Sequence, residues 1–341
     1  AWYRTSRQSK LREFEYIGLT SQVDAQHTND YDLVRDRLGF SSTVDYDLSP
    51  TSRVYARGSY NVYLDNEVRR EAEFLLDSER EIRETRNRVE DQRLRLLMAG
   101  GETELGPVGV EFKGAWIQST EELPDRTYLR YRRDNPFTGI NNEEFKDLDG
   151  TSTFAGLGAP TLDRIRWDDM LKDDADLSAQ LDFTLPFSMG GMANTFQFGG
   201  KFRHKDVSYE RVRFQVTDFT RTETLSEGEF GFEDQRFDAP AVQTLFTDPG
   251  NPRNITEDYD ASEDVGAVYG MATLNFSDRF TALVGGRWEN TATDFLQPNP
   301  ETADVPLQGD GGYSNFLPSV HLTFRPNEST NVRAAYSTGL A

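Results

Sequence analysis

Three histidines are the first residues to consider for chemistry, because histidine is a common general base and metal ligand near neutral pH. His27, His204 and His321 stand far apart in the sequence, and the chain contains no cysteine, no HExxH motif and no Gly-x-Ser-x-Gly turn. Paired carboxylates are abundant, but they are expected by chance in a chain with 58 Asp and Glu residues. The sequence therefore favours a protein that is not an enzyme, with a hydrolase that uses loop carboxylates as the alternative.

Two acidic segments carry the hard oxygen ligands that calcium prefers. The first contains Asp147 and Asp149, and the second contains Asp258 and Asp260. Neither segment matches the full twelve-residue calcium loop, so a solvated acidic loop is the simpler interpretation. We therefore predict that the protein needs no cofactor, and structural calcium in the acidic loops stays open as an alternative.

Aromatic residues in the long polar segments are candidates for ligand contacts, because flat side chains stack on sugar rings and on catecholate groups. The candidates are Tyr128, Tyr131, Trp167, Phe219, Phe230, Phe232 and Tyr259. The alternative interpretation is that these side chains pack the long loops against one another.

The elements that must position these residues are strands with a long two-sided pattern. Between Val265 and Asn290, apolar or small residues alternate with larger or more polar ones on both sides of a turn at Ser277-Asp278. A period of two is the pattern of a strand, and two such runs joined by a short turn predict an antiparallel hairpin. Each run is long enough to cross a bilayer, which takes roughly 9–11 residues of tilted strand. One apolar face and one charged face over that length predict the wall of a transmembrane β-barrel.

The same pattern recurs, and its connections alternate in length. Short turns are predicted at 49–52, 105–107, 188–194, 277–279 and 326–329, and long connections at 66–90, 121–175, 216–262 and 296–311. Short periplasmic turns and long extracellular loops are typical of outer-membrane barrels. We therefore predict an all-β chain with about ten strands from residue 37 onward, all of them part of a single barrel domain.

Three segments are harder to assign. Residues 1 to about 33 are predicted to form a loop after a truncated strand, because their apolar residues are scattered. Residues 67–92 are predicted to be two strand extensions that meet near Ser78, with a solvated helix as the alternative. Residues 162–173 are predicted to form one short helix within an irregular segment.

The polar side of the predicted strands carries charges that we expect to face an enclosed aqueous lumen. These charges include Arg57, Arg95, Arg203, Arg287, Glu289 and Arg333. We expect them to form cross-strand charge ladders, and contact with a ligand in transit is the alternative.

Composition limits the classes of partner. The formal net charge of −21 argues against nucleic acid, whose phosphates would be repelled. No run of about eighteen apolar residues is present, so no helix is expected to span a membrane. The mean hydropathy of −0.68 is typical of a soluble protein, but only alternate residues of a barrel strand meet lipid, so a barrel is compatible with this value. A soluble β-sandwich stays an alternative fold.

Three stretches resemble the barrel region of TonB-dependent outer-membrane receptors. Residues 268–291 contain a strand, an Asp-containing turn and a strand that ends in Gly286, Arg287, Trp288 and Glu289. Residues 313–341 contain the Leu-Pro-Ser and Arg-Ala-Ala-Tyr-Ser segments of a second hairpin. The LREFEY segment at 11–16, followed by the first hairpin, is similar to a proteobacterial subgroup often linked to carbohydrate uptake.

The resemblance implies a barrel of about 22 strands whose lumen is plugged by an N-terminal domain. It also implies outer-membrane lipid as the surroundings, energy from the TonB-ExbB-ExbD system, and a surface lipoprotein as a further candidate partner. The ligand would be an oligosaccharide or a metal chelate such as a siderophore. We expect this sequence to be an internal piece of a longer chain that lacks the plug and the final strands. A passive porin or an adhesin-like barrel without a plug is the alternative.

Overall fold

A computed structural model of the chain describes residues 2–16, 22–137, 141–148, 160–217, 253–298 and 306–340. Within these ranges the chain forms a twelve-stranded antiparallel sheet and the short helix α1 (Asn142–Lys146). The strands are β1 (Trp2–Tyr16), β2 (Val23–Ser49), β3 (Ser52–Leu75), β4 (Arg80–Leu105), β5 (Val108–Asp134), β6 (Thr161–Met189), β7 (Met192–Thr217), β8 (Arg253–Thr256), β9 (Tyr259–Ser277), β10 (Phe280–Gln297), β11 (Leu307–Asn327) and β12 (Thr330–Ser337).

Consecutive strands are neighbours throughout the sheet, with one exception at β7. The short β8 pairs with the C-terminal end of β7, and β9 pairs with the remaining length of β7. The predicted all-β class and the five short turns are confirmed, because each turn joins two consecutive antiparallel strands. In the described ranges no helix is long and apolar enough to span a membrane.

The sheet has two chemically different faces, as the alternation predicts. In the β9–β10 hairpin Val268 lies opposite Trp288 and Ala272 lies opposite Val284, while Tyr269 lies opposite Arg287 on the other side. We call the side of Val284 the apolar face and the side of Arg287 the polar face. Large apolar side chains on the apolar face are exposed, with Val284 at 43%. A bilayer would cover such a face and leave the polar face toward an aqueous lumen.

The strands continue well beyond the length that crosses a bilayer. The prediction that 67–92 forms two strand extensions is confirmed, since β3 ends at Leu75 and β4 begins at Arg80. The loop predicted for residues 1–33 is wrong, because β1 and β2 pair from Trp2 to Tyr16. The helix predicted at 162–173 and most of the irregular segment around it are also wrong, because β5 runs to Asp134 and β6 starts at Thr161.

Cross-strand ion pairs take the place of apolar alternation in these extensions. Arg70 of β3 donates to Asp32 of β2 at 2.7 Å, and Arg69 of β3 donates to Glu84 of β4 at 3.1 Å. Opposite charges on neighbouring strands stabilise a given register. Strand pairing can therefore persist where neither face meets lipid and a hydrophobic pattern is absent, which is why the pattern alone missed β1 and the start of β6.

The face assignment of β4 also differs from the prediction. Arg95 was expected to face the lumen, but it lies opposite Tyr60 and Gln118 on the apolar face, and it donates to Gln118 Oε1 at 2.7 Å. Leu97, which is 59% exposed, shares that face. The prediction failed because Leu94, Leu96, Leu97 and Met98 are nearly continuous in sequence, so alternation does not define a face.

A bulge in β5 exchanges its two faces. Between Leu123 and Arg126, β5 advances three residues while β6 advances two, from Met170 to Asp168. Asp125 inside this step has a positive φ of 49°. Beyond the bulge, the even-numbered residues of β5 lie on the polar face, whereas before it the odd-numbered ones do. This shift determines which side chains meet at the candidate site.

Helix α1 packs against the apolar face of the extended β2–β3 hairpin. Phe145 is fully buried with Val23, Ala72 and Phe74, and its ring meets Phe137 edge-on at 5.2 Å between centroids. Asn141 and Glu144 form a capping box, in which the Glu144 N–H donates to Asn141 Oδ1 and the Asn141 N–H donates to Glu144 Oε2, both at 3.0 Å. The connection after β5 is therefore anchored on the wall.

Candidate functional site

Four arginines surround one buried carboxylate on the polar face of β5, β6 and β7. Asp168 has no exposed side-chain surface. Its Oδ1 accepts a hydrogen bond from Arg213 Nε at 2.7 Å, and its Oδ2 accepts one from Arg126 Nη2 at 2.8 Å. Arg211 Nη2 and Arg166 Nε lie 3.3 Å and 3.5 Å from Oδ2. We call these five residues the arginine cluster.

Strand register brings the members of the cluster together. Asp168 of β6 is the cross-strand partner of Arg126 in β5 and of Arg213 in β7. Arg166 and Arg211 lie on the polar face two residues away along β6 and β7. Without the extra residue in β5, Arg126 would point to the apolar face, because a one-residue slip reverses the direction of every side chain.

The Tyr128 ring holds one of these guanidinium groups in place. The guanidinium carbon of Arg166 lies 3.6 Å from the ring centroid of Tyr128, which is 7% exposed, and that of Arg126 lies 5.8 Å away. Stacking on an aromatic ring suits the flat guanidinium and leaves its edge N–H groups free to donate. Tyr128 thus orients Arg166 without competing for its donors.

The cluster is also linked to the start of β9. Arg211 Nη1 donates to Glu257 Oε2 at 2.9 Å, and the Arg211 backbone N–H donates to Asp258 Oδ1 at 3.1 Å. The Glu257 N–H in turn donates to the Arg211 carbonyl at 3.0 Å. Arg211 therefore connects Asp168 on the wall to the chain that returns from residues 218–252, which lie outside the described residues.

The predicted ligand-contacting aromatics do not form one group. Tyr128 lies on the polar face, whereas Tyr131 and Trp167 lie on the opposite face in an apolar cluster with Leu129 and Ile165. Tyr259 starts β9 and stacks on Tyr209 at 5.2 Å between centroids. Phe219, Phe230 and Phe232 lie outside the described residues. A ligand-binding role for these aromatics stays a prediction.

Apart from Arg95, the charges named for the lumen lie on the polar face: Arg57, Arg203, Arg287, Glu289 and Arg333. Arg203 donates to Asp176 at 2.6 Å and to Glu263 at 3.1 Å, and Arg287 donates to Glu289 at 2.9 Å. Arg57 lies 4.7 Å from the centroid of the Tyr55 ring. Arg333 of β12 faces Thr323 in register. Whether any of them contacts a ligand stays a prediction.

The candidate calcium ligands are dispersed. Asp147 follows α1, Asp149 lies outside the described residues, and Asp258 already accepts the Arg211 N–H. Asp260 lies on the apolar face of β9, opposite Leu296. In the described part of the chain, no group of three or more His, Asp or Glu side chains is arranged to hold a metal ion. Structural calcium in the acidic loops stays an open alternative to the predicted absence of a cofactor.

The histidines are separated in space as well as in sequence. His27 lies on the polar face near Glu15, Glu71 and Glu73, with ring nitrogens 3.5 to 3.9 Å from their carboxylate oxygens. Burial raises the pKa of Glu73 above its usual value, and His27 opposes that shift. His204 lies on the other face between Asp206 and Asp264.

The arginine cluster is not evident from the sequence when residues 162–173 are taken as a helix. The signal that could have revealed it is the spacing of two in Arg164, Arg166 and Asp168, and in Arg211 and Arg213. A spacing of two places charges on one face of a strand.

A match to a family model identifies the protein family of the chain. Residues 19–341 match the model of the TonB dependent receptor-like β-barrel. The chain therefore belongs to this family, whose members are transporters of the bacterial outer membrane. The localisation and the barrel fold predicted from the sequence are confirmed. No curated protein matches the chain.

Solved structures share the fold at low sequence identity. The ferric-catecholate import receptor Fiu from E. coli K12 matches in its closed form with a TM-score of 0.54 and 13% identity, over 98% of this chain and 48% of that one. Its open form matches with a TM-score of 0.52 and 13% identity, over 98% and 53%. The siderophore receptor PiuA from Acinetobacter baumannii matches with a TM-score of 0.46 and 11% identity, over 97% and 48%. The chain thus spans about half the length of these structures.

Proposed function

We propose that this chain is the barrel part of an outer-membrane receptor that imports a scarce ligand through a plugged lumen. The observation that carries the proposal is the two-faced wall, with an apolar face for lipid and a charged polar face that continues into long strand extensions. A passive pore does not need long charged strand extensions, whereas a receptor must hold its ligand before transport. Membership of the receptor family supports the same function.

The energy source and the plug belong to this proposal. Receptors of this kind would receive energy from the TonB-ExbB-ExbD system through a region upstream of the barrel. The open polar face of the described sheet offers charged side chains against which a plug can pack. A surface lipoprotein that covers the extracellular ends is a further proposed partner.

The ligand classes follow from the sequence and from the neighbours. A metal chelate is supported by the names of the structural neighbours, which are a ferric-catecholate import receptor and a siderophore receptor. An oligosaccharide is supported by the similarity of residues 11–16 and the first hairpin to a carbohydrate-uptake subgroup.

Uptake in cells tests the proposal. The complete receptor gene is expressed in a strain that lacks its own receptors, and uptake of radiolabelled iron chelates and oligosaccharides is compared with and without a functional TonB protein. We expect saturable uptake of one ligand class that disappears without TonB. Uptake that is linear with concentration and indifferent to TonB would establish the passive porin instead.

A further inference from the structure

The arginine cluster carries more positive charge than the neighbouring carboxylates neutralise. Among the described residues its four guanidinium groups meet two acids, Asp168 and Glu257, and a third acid, Asp258, accepts the Arg211 backbone N–H. They carry about twenty N–H donors, against about eight acceptor positions on the two carboxylates. In the described part of the chain the buried Nε atoms of Arg126, Arg166 and Arg211 make no hydrogen bond. Donors in such surplus require acceptors from outside the protein wall.

The Nε atoms are themselves buried, so the donors that are open to the polar face are the Nη groups. Each of the four arginine side chains keeps between 15% and 18% of its surface exposed, while Asp168 beneath them keeps none. The carboxylate therefore holds the guanidinium groups from behind, and the Tyr128 ring orients Arg166 from the side. Groups fixed in this way lose little conformational entropy when they bind an anion.

The cluster lies outside the membrane-spanning part of the wall. Asp168 is about twenty residues from the short turn after Met189, whereas roughly 9–11 residues cross a bilayer. Because the short turns are periplasmic, the cluster lies toward the extracellular side of the polar face. A ligand that enters the lumen from outside would meet the cluster before it reaches the level of the bilayer.

We infer that the arginine cluster binds an anionic group of the imported ligand, and that the ligand is an anionic metal chelate rather than a neutral oligosaccharide. The inference rests on the proposed function. Guanidinium groups match the flat paired oxygens of carboxylates and catecholates with two parallel hydrogen bonds. Sugar hydroxyls can accept these hydrogen bonds but leave the excess positive charge without a counterion.

Binding to the purified full-length receptor tests the inference with two probes that differ in charge. The probes are iron(III) tris-catecholate, which is trianionic, and iron(III) tris-acetohydroxamate, which is neutral. We expect Arg166→Gln and Arg213→Gln each to weaken binding of the anionic probe about tenfold, the size expected for one charge-assisted hydrogen bond. The control is Arg203→Gln on the same face, since Arg203 already pairs with Asp176 and Glu263.

Asp168→Asn separates a binding role from a structural one. If the cluster binds anions, removing the negative charge tightens binding of the anionic probe, while Arg166→Gln weakens it. If the cluster only holds the strands together, both variants lower stability. Their affinities for the anionic probe then do not move in opposite directions, and the inference is overturned. If Asp168→Asn does not fold, the salt dependence of binding to the wild-type receptor tests the inference instead. The affinity for the anionic probe must fall steeply with rising salt if the site is electrostatic.

The outcomes also separate this inference from the proposed function. Uptake that depends on TonB, combined with anion binding that is insensitive to the arginines, overturns the site and leaves the receptor function standing. Anion binding that depends on the arginines, combined with uptake that ignores TonB, overturns the receptor function and leaves the site standing.

Discussion

Trp167 of β6 donates its indole N–H to the carboxylate of Asp125, at 3.0 Å, and Asp125 is the residue of the β5 bulge with positive φ. The bulge reverses the faces of β5, so that Arg126 reaches Asp168 on the polar face while Trp167 packs against Phe214 on the other. One hydrogen bond on the apolar face thus joins β6 to the bulge that brings Arg126 to the arginine cluster.

Loss of this hydrogen bond should destabilise the extended wall. We expect Trp167→Phe to lower the free energy of unfolding by about 1 kcal/mol, because the ring still packs but Asp125 loses its donor. Denaturant unfolding of the receptor in detergent micelles measures the change. Asp125→Asn is the matched control, since asparagine keeps the acceptor oxygen and tolerates positive φ. An equal loss in both variants would show that charge, rather than the hydrogen bond, matters there.

The Tyr269 ring needs a glycine beneath it. A Cβ at Gly199 would lie 2.5 Å from the Leu181 carbonyl oxygen and from Asp182 Oδ1, and 2.9 Å from the Tyr269 ring. Because one of these atoms is backbone, the contact cannot be relieved by a side-chain rotation. We expect Gly199→Ala to destabilise the barrel by about 1–3 kcal/mol.

Gly266 supplies the comparison for Gly199→Ala. It lies in β9, and a Cβ there would meet nothing within 4 Å. Gly266→Ala should therefore leave the heat-dependent gel mobility of the folded receptor unchanged while Gly199→Ala lowers the transition temperature. Equal transition temperatures would contradict the close packing of Tyr269 on Gly199.

Two adjacent residues of β10 test which face meets lipid. Val284 lies on the apolar face opposite Ala272, and Leu283 lies on the polar face opposite Thr273. Arginine at Val284 should cost about 2–4 kcal/mol of folding free energy in liposomes, because the charge enters hydrocarbon. Arginine at Leu283 should cost far less. A larger loss at Leu283 would reverse the assignment of the faces.

The Asp32–Arg70 pair gives the wall a dependence on acid. The hydrogen bond from Arg70 is the main reason that the pKa of Asp32 lies below its usual value. The folded state therefore binds fewer protons than the unfolded state, and the pair stabilises the fold fully above about pH 4. This stabilisation is lost as the pH falls through the lowered pKa.

Unfolding at a series of acidic pH values tests this dependence. The stability difference between wild type and Arg70→Gln should shrink as the pH falls below about 4. Arg57→Gln is the control, because Arg57 lies over the Tyr55 ring and its effect should not vary over that range. A difference that stays constant for Arg70→Gln would rule out the ion pair as its source.

Strands could be predicted from the sequence where contact with lipid requires alternating apolar residues. Alternation between Val265 and Asn290 identified a hairpin that the structure confirms, because every second residue there must be apolar. Above the bilayer the same alternation is absent, and β1 and the first half of β6 were missed. There the register depends on ion pairs such as Arg70 with Asp32, which a pattern of hydrophobicity does not report.

The candidate site was harder to predict for a related reason. Tyr128, Tyr131 and Trp167 were grouped as loop aromatics, but they lie on strands, with Tyr128 on the polar face and Tyr131 and Trp167 on the apolar face. Pro124 was the available signal, since proline inside a strand often marks a bulge. Even with that signal, the pairing of Asp168 with both Arg126 and Arg213 requires knowledge of two registers at once.

The length of the strands has an evolutionary consequence. β2 spans 27 residues and β6 spans 29, so that more than half of each ribbon stands clear of the hydrocarbon, given roughly 9–11 residues for the crossing. A hydrogen-bonded wall of this height separates the strand ends from the part that crosses the bilayer. Mutations can therefore change the residues at the strand ends while the membrane-crossing part stays the same.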